Sequence, residues 1–117
     1  MSYERKWTDE KIEEWFLESF PNVSLNAQLL KLEEECKEML SSSSLTEAQE
    51  ELADIYIVLL GLNALDSYVG LFFSTLFNQA DPLKDKLFEK VDEKMDKNSK
   101  RTWKQTSEGL YKHIEKE

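Results

Sequence analysis

Four carboxylates stand in two pairs. Glu35 and Glu38 are three residues apart, twelve residues intervene, and Glu51 and Asp54 are again three apart. On a helix, residues at i and i+3 share a face. The intervening stretch holds Ser41, Ser42, Ser43 and Ser44, poor helix propagators that suit loops and caps. Thr46 followed by Gln49 reads as a capping box that opens a second helix near Glu47. The segment therefore predicts two helices joined by a short turn, which makes them antiparallel. Glu38 falls near the end of the first and Glu51 near the start of the second. Glu35 and Asp54 sit about one turn further from the loop, at roughly 1.5 Å per residue. Four anions brought onto one patch repel unless a cation or shared protons compensate. A hard, oxygen-preferring divalent ion is the simplest compensation, and magnesium is the usual one where substrate phosphates complete its shell. The competing reading is plainer: carboxylates solvated on two surface helices, Glu being a common helix former.

A second polar set lies downstream. Lys90, Lys94, Asn98 and Arg101 recur at intervals of four, four and three, so one helix stripe carries two ammonium groups, an amide and a guanidinium. Such a stripe can follow a polyphosphate, with Arg suited to forked oxygen contacts and Lys to a point charge. A solvated helix face has the same pattern. Trp103 can stack on a base or cover the end of a bundle, and the second is the commoner use. His113 falls in the stretch 105–117, expected to fray, and takes no role.

These groups need elements to hold them. Thr8 is a fitting N-cap for a first helix to Phe20, with Asp9 and Glu10 in its first turn and Ile12, Trp15 and Phe16 as its apolar stripe. Pro21 stops it. Ser24 caps a second helix over Leu25 to Met39, whose apolar face is Leu25, Leu29, Leu32, Cys36 and Met39. Gln28, Lys31, Glu35 and Glu38 fall on a neighbouring polar face, and Cys36 reads as a small buried hydrophobe. In the third helix Leu52, Ile55, Tyr56, Leu59 and Leu62 or Asn63 point inward, with Glu51, Asp54 and Val58 on the other side. Residues 55–77 are apolar enough to raise a membrane span, but Asn63, Asp66, Ser67 and two glycines interrupt them. A helix broken near Asp66 to Gly70 and buried at a subunit interface fits better. Asp81-Pro82 marks a further helix start, and Leu83, Leu87, Val91 and either Met95 or Phe88 form the inward face that follows.

Composition narrows the function. A chain of 117 residues, with three Gly, two Pro and 33% charged side chains, fits one all-α domain of four to five helices built on the antiparallel hairpin. So small a core gains from oligomerisation. The net charge of −9 argues against a nucleic-acid polymer as partner. The charge is also uneven: residues 1–81 carry a net −11 and residues 82–117 a net +2. A lone cysteine and no signal-peptide pattern point to the cytoplasm. No Gly-rich phosphate loop occurs, no Glu-x-x-His pair suits a di-iron bundle, and Cys and His are too few for zinc.

The run KLEEECKE, continued by EELAD, resembles the signature E-x-x-E followed by E-x-x-D of the MazG-like all-α nucleoside triphosphate pyrophosphohydrolases. The later KMDKNSKRTW is similar to the Lys, Asn and Arg stretch of short single-domain members of phage and integron type. The likeness covers roughly residues 24–104. It implies a fold, a reaction and a site. The reaction is cleavage of a (deoxy)nucleoside triphosphate between its α- and β-phosphates, giving monophosphate and pyrophosphate. Glu35, Glu38, Glu51 and Asp54 would hold Mg²⁺, with Mn²⁺ as a possible substitute, and Glu38 is the candidate for orienting the attacking water. Lys94, Asn98 and Arg101 would clamp the β- and γ-phosphates, from the same or a neighbouring subunit. Gln28 and Lys31 are candidates for base or phosphate contact. A homodimer or homotetramer is implied, with no membrane partner. The rival expectation is an acidic helical module that engages a basic partner without catalysis.

Overall fold

A computed structural model describes residues 3–77 and 86–114. Five helices, α1 (Asp9–Ser19), α2 (Leu25–Leu40), α3 (Leu45–Leu65), α4 (Ser67–Phe77) and α5 (Leu87–Asn98), precede a small hairpin of β1 (Thr102–Gln105) and β2 (Tyr111–Ile114). The fold is an all-α bundle, as the sequence predicts. Its centre is α3, which packs against α1, α2, α4 and α5. Leu52, Ala53, Ile55 and every residue from Ile57 to Leu62 are buried. Val58, expected on the outer side, is therefore core, because a helix enclosed by four others has little outer side.

The turn between α2 and α3 is antiparallel as expected, but its cap lies earlier. The Ser44 hydroxyl accepts from the Glu47 amide at 3.1 Å, and the Glu47 carboxylate accepts from the Ser43 amide and hydroxyl at 2.8 and 2.9 Å. This reciprocal pair starts the helix at Leu45, in place of the Thr46–Gln49 box. At the other end Asp66 both closes α3 and opens α4, accepting from the amides of Tyr68 and Val69 at 3.0 and 3.2 Å. The apolar run 55–77 is thus two helices, and among the described residues no helix is long and apolar enough to cross a membrane. The Asp81-Pro82 start and Leu83 lie outside the described residues.

Helix α2 is rotated part-way from its expected orientation. Of the expected apolar face, Leu32 is buried and Leu25, Leu29 and Met39 pack partly buried against the core, but Cys36 is exposed. Gln28 and Glu35 of the polar face are buried instead, while Glu38 stays exposed. The Gln28 amide donates to the Val58 carbonyl at 3.1 Å, and one oxygen of Glu35 meets Lys31 at 3.2 Å.

On α5, Leu87 and Val91 are buried as expected, Met95 rather than Phe88 completes the buried face, and Asp92 is buried too. Asp92 accepts from the Tyr3 hydroxyl and from the amides of Lys6 and Trp7, at 2.7, 2.9 and 2.8 Å. One buried carboxylate thereby fastens the N-terminal segment to the last helix. Neighbouring Asp96 adds contacts from Lys6 Nζ and Trp7 Nε1.

The C-terminal stretch is not a frayed tail as far as Ile114. Strands β1 and β2 pair antiparallel, with Trp103 opposite His113 and Gln105 opposite Tyr111. The Thr106 hydroxyl accepts from the Leu110 amide at 3.2 Å, and Gly109 takes a φ of +87°, a left-handed value that other residues rarely adopt. Gln105 Nε2 donates to the Asn22 carbonyl at 3.3 Å and Leu110 is buried, which ties the hairpin to the bundle.

Candidate functional site

Facing turns of α2 and α3 bring together the carboxylates of Glu35, Glu38 and Glu51, one oxygen of each lying within 4.8 Å of the others. Asp54, the fourth expected member, stands beside this group but pairs with Lys94 Nζ of α5 at 3.3 Å. Glu35 is buried, with Oε1 3.2 Å from Lys31 Nζ. Its Oε2 is buried with no hydrogen-bond partner, and Glu51 Oε2 is in the same position. An unpartnered buried oxygen is costly and calls for a ligand or a proton.

The electrostatics follow from that crowding. Burial, reinforced by the Asp54 charge and opposed by Lys31, pushes the Glu35 carboxyl up to about 7. Burial, then Asp54 and Glu38, pushes Glu51 up to about 7 as well. Burial also raises Asp54, against the pull of Lys94. Fully ionised, the four carboxylates and the two lysines paired with them carry a formal −2, which a divalent cation would cancel. The donor set consists of carboxylate oxygens, the chemistry that suits Mg²⁺ or Mn²⁺, and two of those oxygens lack partners. These residues fit the ion that the sequence implies.

A cavity of about 480 Å³ opens beside the cluster. Lys31, Glu35, Glu38, Asp54 and Lys94 form part of its wall, and Asn98 and Arg101 continue it. Glu51 instead lines a more open hollow with Ser41 and Ser42, and Glu38 borders both spaces. Of the downstream stripe, Lys94, Asn98 and Arg101 reach the cavity. Lys90 does not, and stands 3.8 Å from Glu50 and 3.5 Å from Glu93. Arg101 lies past the end of α5, where its guanidinium donates to the Asn98 side-chain oxygen at 3.2 Å. Gln28 lines the cavity too, though its donor nitrogen is committed to Val58.

Much of the remaining wall is aromatic: Trp15 and Phe20 from the first helix and its end, with Trp103, Tyr111 and His113 from the hairpin, beside aliphatic Val23, Ile57, Val58 and Leu110. Trp15 meets Trp103 edge-on at 6.1 Å between centroids, and Phe20 stacks on Tyr111 at 4.6 Å. Sequence reasoning gave four of these five rings no place at the site. The available signal was Gly109, a turn residue between Trp103 and the pair Tyr111 and His113. No protein-family model, curated protein or solved structure matches the chain.

Proposed function

We propose that this protein is a magnesium-dependent nucleoside triphosphate pyrophosphohydrolase of the MazG-like kind, converting a (deoxy)nucleoside triphosphate and water into the monophosphate and pyrophosphate. One observation carries the reading: Glu35, with its unpartnered buried oxygen, Glu38 and Asp54 share a cavity wall with Lys94, Asn98 and Arg101. Anionic and cationic groups side by side match a metal–polyphosphate ligand, whose own charges alternate in the same way.

Glu35, Glu38, Glu51 and Asp54 would hold the ion. Bound there, Mg²⁺ supplies Lewis-acid neutralisation of the phosphate oxygens. The chain's own residues do the rest. Lys94, now paired with Asp54, and Lys31, now paired with Glu35, exchange those partners for phosphate oxygens when the carboxylates are engaged. Arg101 offers a fork of donors to the outer phosphates, and its contact with Asn98 fixes its approach. Glu38, which borders both the cavity and the outer hollow, orients the water and accepts its proton as the α-phosphorus is attacked and pyrophosphate leaves. Nucleotide-pool control or removal of unwanted nucleotides is the corresponding role, as a homodimer or homotetramer in the cytoplasm.

A second reading, an acidic module for a basic partner, draws on the ion pairs Lys31–Glu35 and Lys94–Asp54, which show that the cluster accepts ammonium groups. A panel of nucleoside triphosphates with Mg²⁺ or Mn²⁺, scored for pyrophosphate, separates the two. The enzyme reading expects monophosphate and pyrophosphate from at least one substrate. Full activity in excess chelator, or diphosphate with free phosphate as products, counts against it.

A further inference from the structure

The aromatic wall lies mostly outside the stretch that resembles known pyrophosphohydrolases, since Trp15, Phe20, Tyr111 and His113 fall before residue 24 or after residue 104. From that wall we infer that the C-terminal hairpin forms the subsite for the substrate's nucleobase, with Trp103 and His113 as its recognition pair; this rests on the nucleotide reading above.

Strand register provides the first support. Trp103 and His113 are directly opposed across the hairpin, and Gln105 and Tyr111 are the next pair on the same face. One face of the hairpin therefore presents three rings, and all three border the cavity that also holds the carboxylates and lysines. Rigidity is the second. Trp103 Nε1 donates to the Asn98 carbonyl at 3.2 Å, its ring meets Phe20 at 5.1 Å, and Gln105 anchors the strand to Asn22. With its single N–H committed, Trp103 has only a π surface to offer a ligand, and a flat heterocycle is the ligand that uses one. His113 supplies what the other rings lack. It is exposed, its ring lies 5.9 Å from that of Trp103, and its nitrogens can donate to or accept from a base edge.

Rings that served only to close the bundle end would be sealed by their neighbours. Here Trp15, Phe20, Trp103 and Tyr111 all remain partly exposed, and all border the one cavity. The hairpin is also linked to the polar wall, because Lys112 Nζ lies 3.5 Å from Glu34, which in turn neighbours Lys31. Phosphates held at Lys94 and Arg101 leave the far part of the ligand to this aromatic wall.

The test separates ring recognition from catalysis. The four deoxynucleoside monophosphates and ribose 5-phosphate are titrated into the metal-free protein, with the Trp103 indole and His113 ring signals followed by NMR. Hydrolysis of deoxynucleoside triphosphates is compared with that of ribose 5-triphosphate. At least one monophosphate is expected to move both signals while ribose 5-phosphate moves neither. Trp103→Leu and His113→Ala should each shrink the preference for the base-bearing triphosphate, for Trp103→Leu by ~10-fold or more, the order of one lost base stack. Trp103→Phe, which keeps a ring, should restore part of it. Monophosphates that leave both signals unmoved overturn the inference, even if hydrolysis proceeds. Monophosphates that move them without hydrolysis of any triphosphate support the subsite and overturn the reaction. If Trp103→Leu does not fold, the parent titration and His113→Ala decide alone.

Discussion

The Asp54 carboxylate lies 3.3 Å from Lys94 Nζ, so a residue of the acidic hairpin and a lysine of α5 already hold each other. That pair joins the two halves of the proposed site. Its consequence is competition: any cation on Asp54 releases Lys94, and any phosphate on Lys94 frees Asp54 for a cation. Metal and polyphosphate should therefore bind cooperatively.

Replacing Glu38 by Gln keeps shape and removes a charge from the cluster. Turnover should fall at least ~100-fold, the order lost with a group that stabilises a transition state. The metal-free variant should melt at or above the parent temperature, because repulsion is relieved. Magnesium should then raise its melting point less than the parent's. Near-parent turnover with an unchanged magnesium response would leave the binding-module reading standing. Arg101→Ala should instead weaken turnover while magnesium still stabilises the free protein.

The titration of Glu35 and Glu51 gives the metal-free protein a pH-dependent stability of definite sign. Both are raised from 4.5 to about 7, chiefly by burial. Between those values the folded chain binds protons that the unfolded chain has released, so the contribution is complete below 4.5 and is lost as pH rises through about 7. Thermal melts in chelator should show a lower melting point at pH 8 than at pH 5, and magnesium at pH 8 should reverse the loss. A melting point that rises from pH 5 to pH 8 in chelator would contradict the crowded, buried geometry of these acids.

The pairing of Glu35 with Glu38 and of Glu51 with Asp54 was legible from spacing alone, because helix periodicity and a serine turn leave few ways to arrange them. The caps at Thr8 and Ser24 and the break at Asp66 were legible for the same local reason. The rotation of α2 was not. Its apolar positions promised a face with Cys36 in it; Leu32 is buried there, but Cys36 is exposed and Gln28 and Glu35 are buried, through contacts with Val58 and Lys31 that periodicity does not register. Nor was the hairpin. Strands of four residues are too short to print an alternation, and Tyr111 and His113 acquire meaning only when Gly109 folds them back onto Trp103.

Nothing in the sequence singles out Asp92, yet the structure makes it a structural bolt. Its three donors come from Tyr3, Lys6 and Trp7. Asp92→Asn turns half of the acceptor into a donor that faces donors. A loss of about 1.5–3 kcal/mol is expected, the range for hydrogen bonds to a charged group. Denaturant titration should show the loss, and deletion of residues 1–7 should show a similar one. A shift below a few tenths of a kcal/mol would mean that the N-terminal segment is not held there.

Gly61 sets two effects against each other. Alanine in a helix interior ordinarily gains about 1 kcal/mol over glycine. Here an added Cβ would lie 2.6 Å from Gln28 Nε2 and 2.7 Å from Phe16 Cε1. Phe16 is buried and Gln28 is pinned to Val58, so neither yields freely, and overpacking costs about 1–3 kcal/mol. Gly61→Ala should therefore destabilise, and a calorimetric melting point above the parent's would show that α2 and α1 can retreat.

The final prediction concerns assembly. Helix α4 has no charged side chain, and Tyr68, Leu71, Phe72 and Leu76 are exposed along one stripe at helical spacing. A second copy across a two-fold axis would cover eight such side chains. At about 1.5–3 kcal/mol each they offer at most roughly 12–24 kcal/mol, against about 4–15 kcal/mol of lost freedom. The difference brackets the about 8 kcal/mol that micromolar association needs. Light scattering at micromolar concentration should therefore report a dimer or larger, and Phe72→Glu should return it to monomer with the helical content intact. A parent that is monomeric at that concentration sinks the interface. Partitioning of the parent into detergent would instead assign the stripe to a lipid surface.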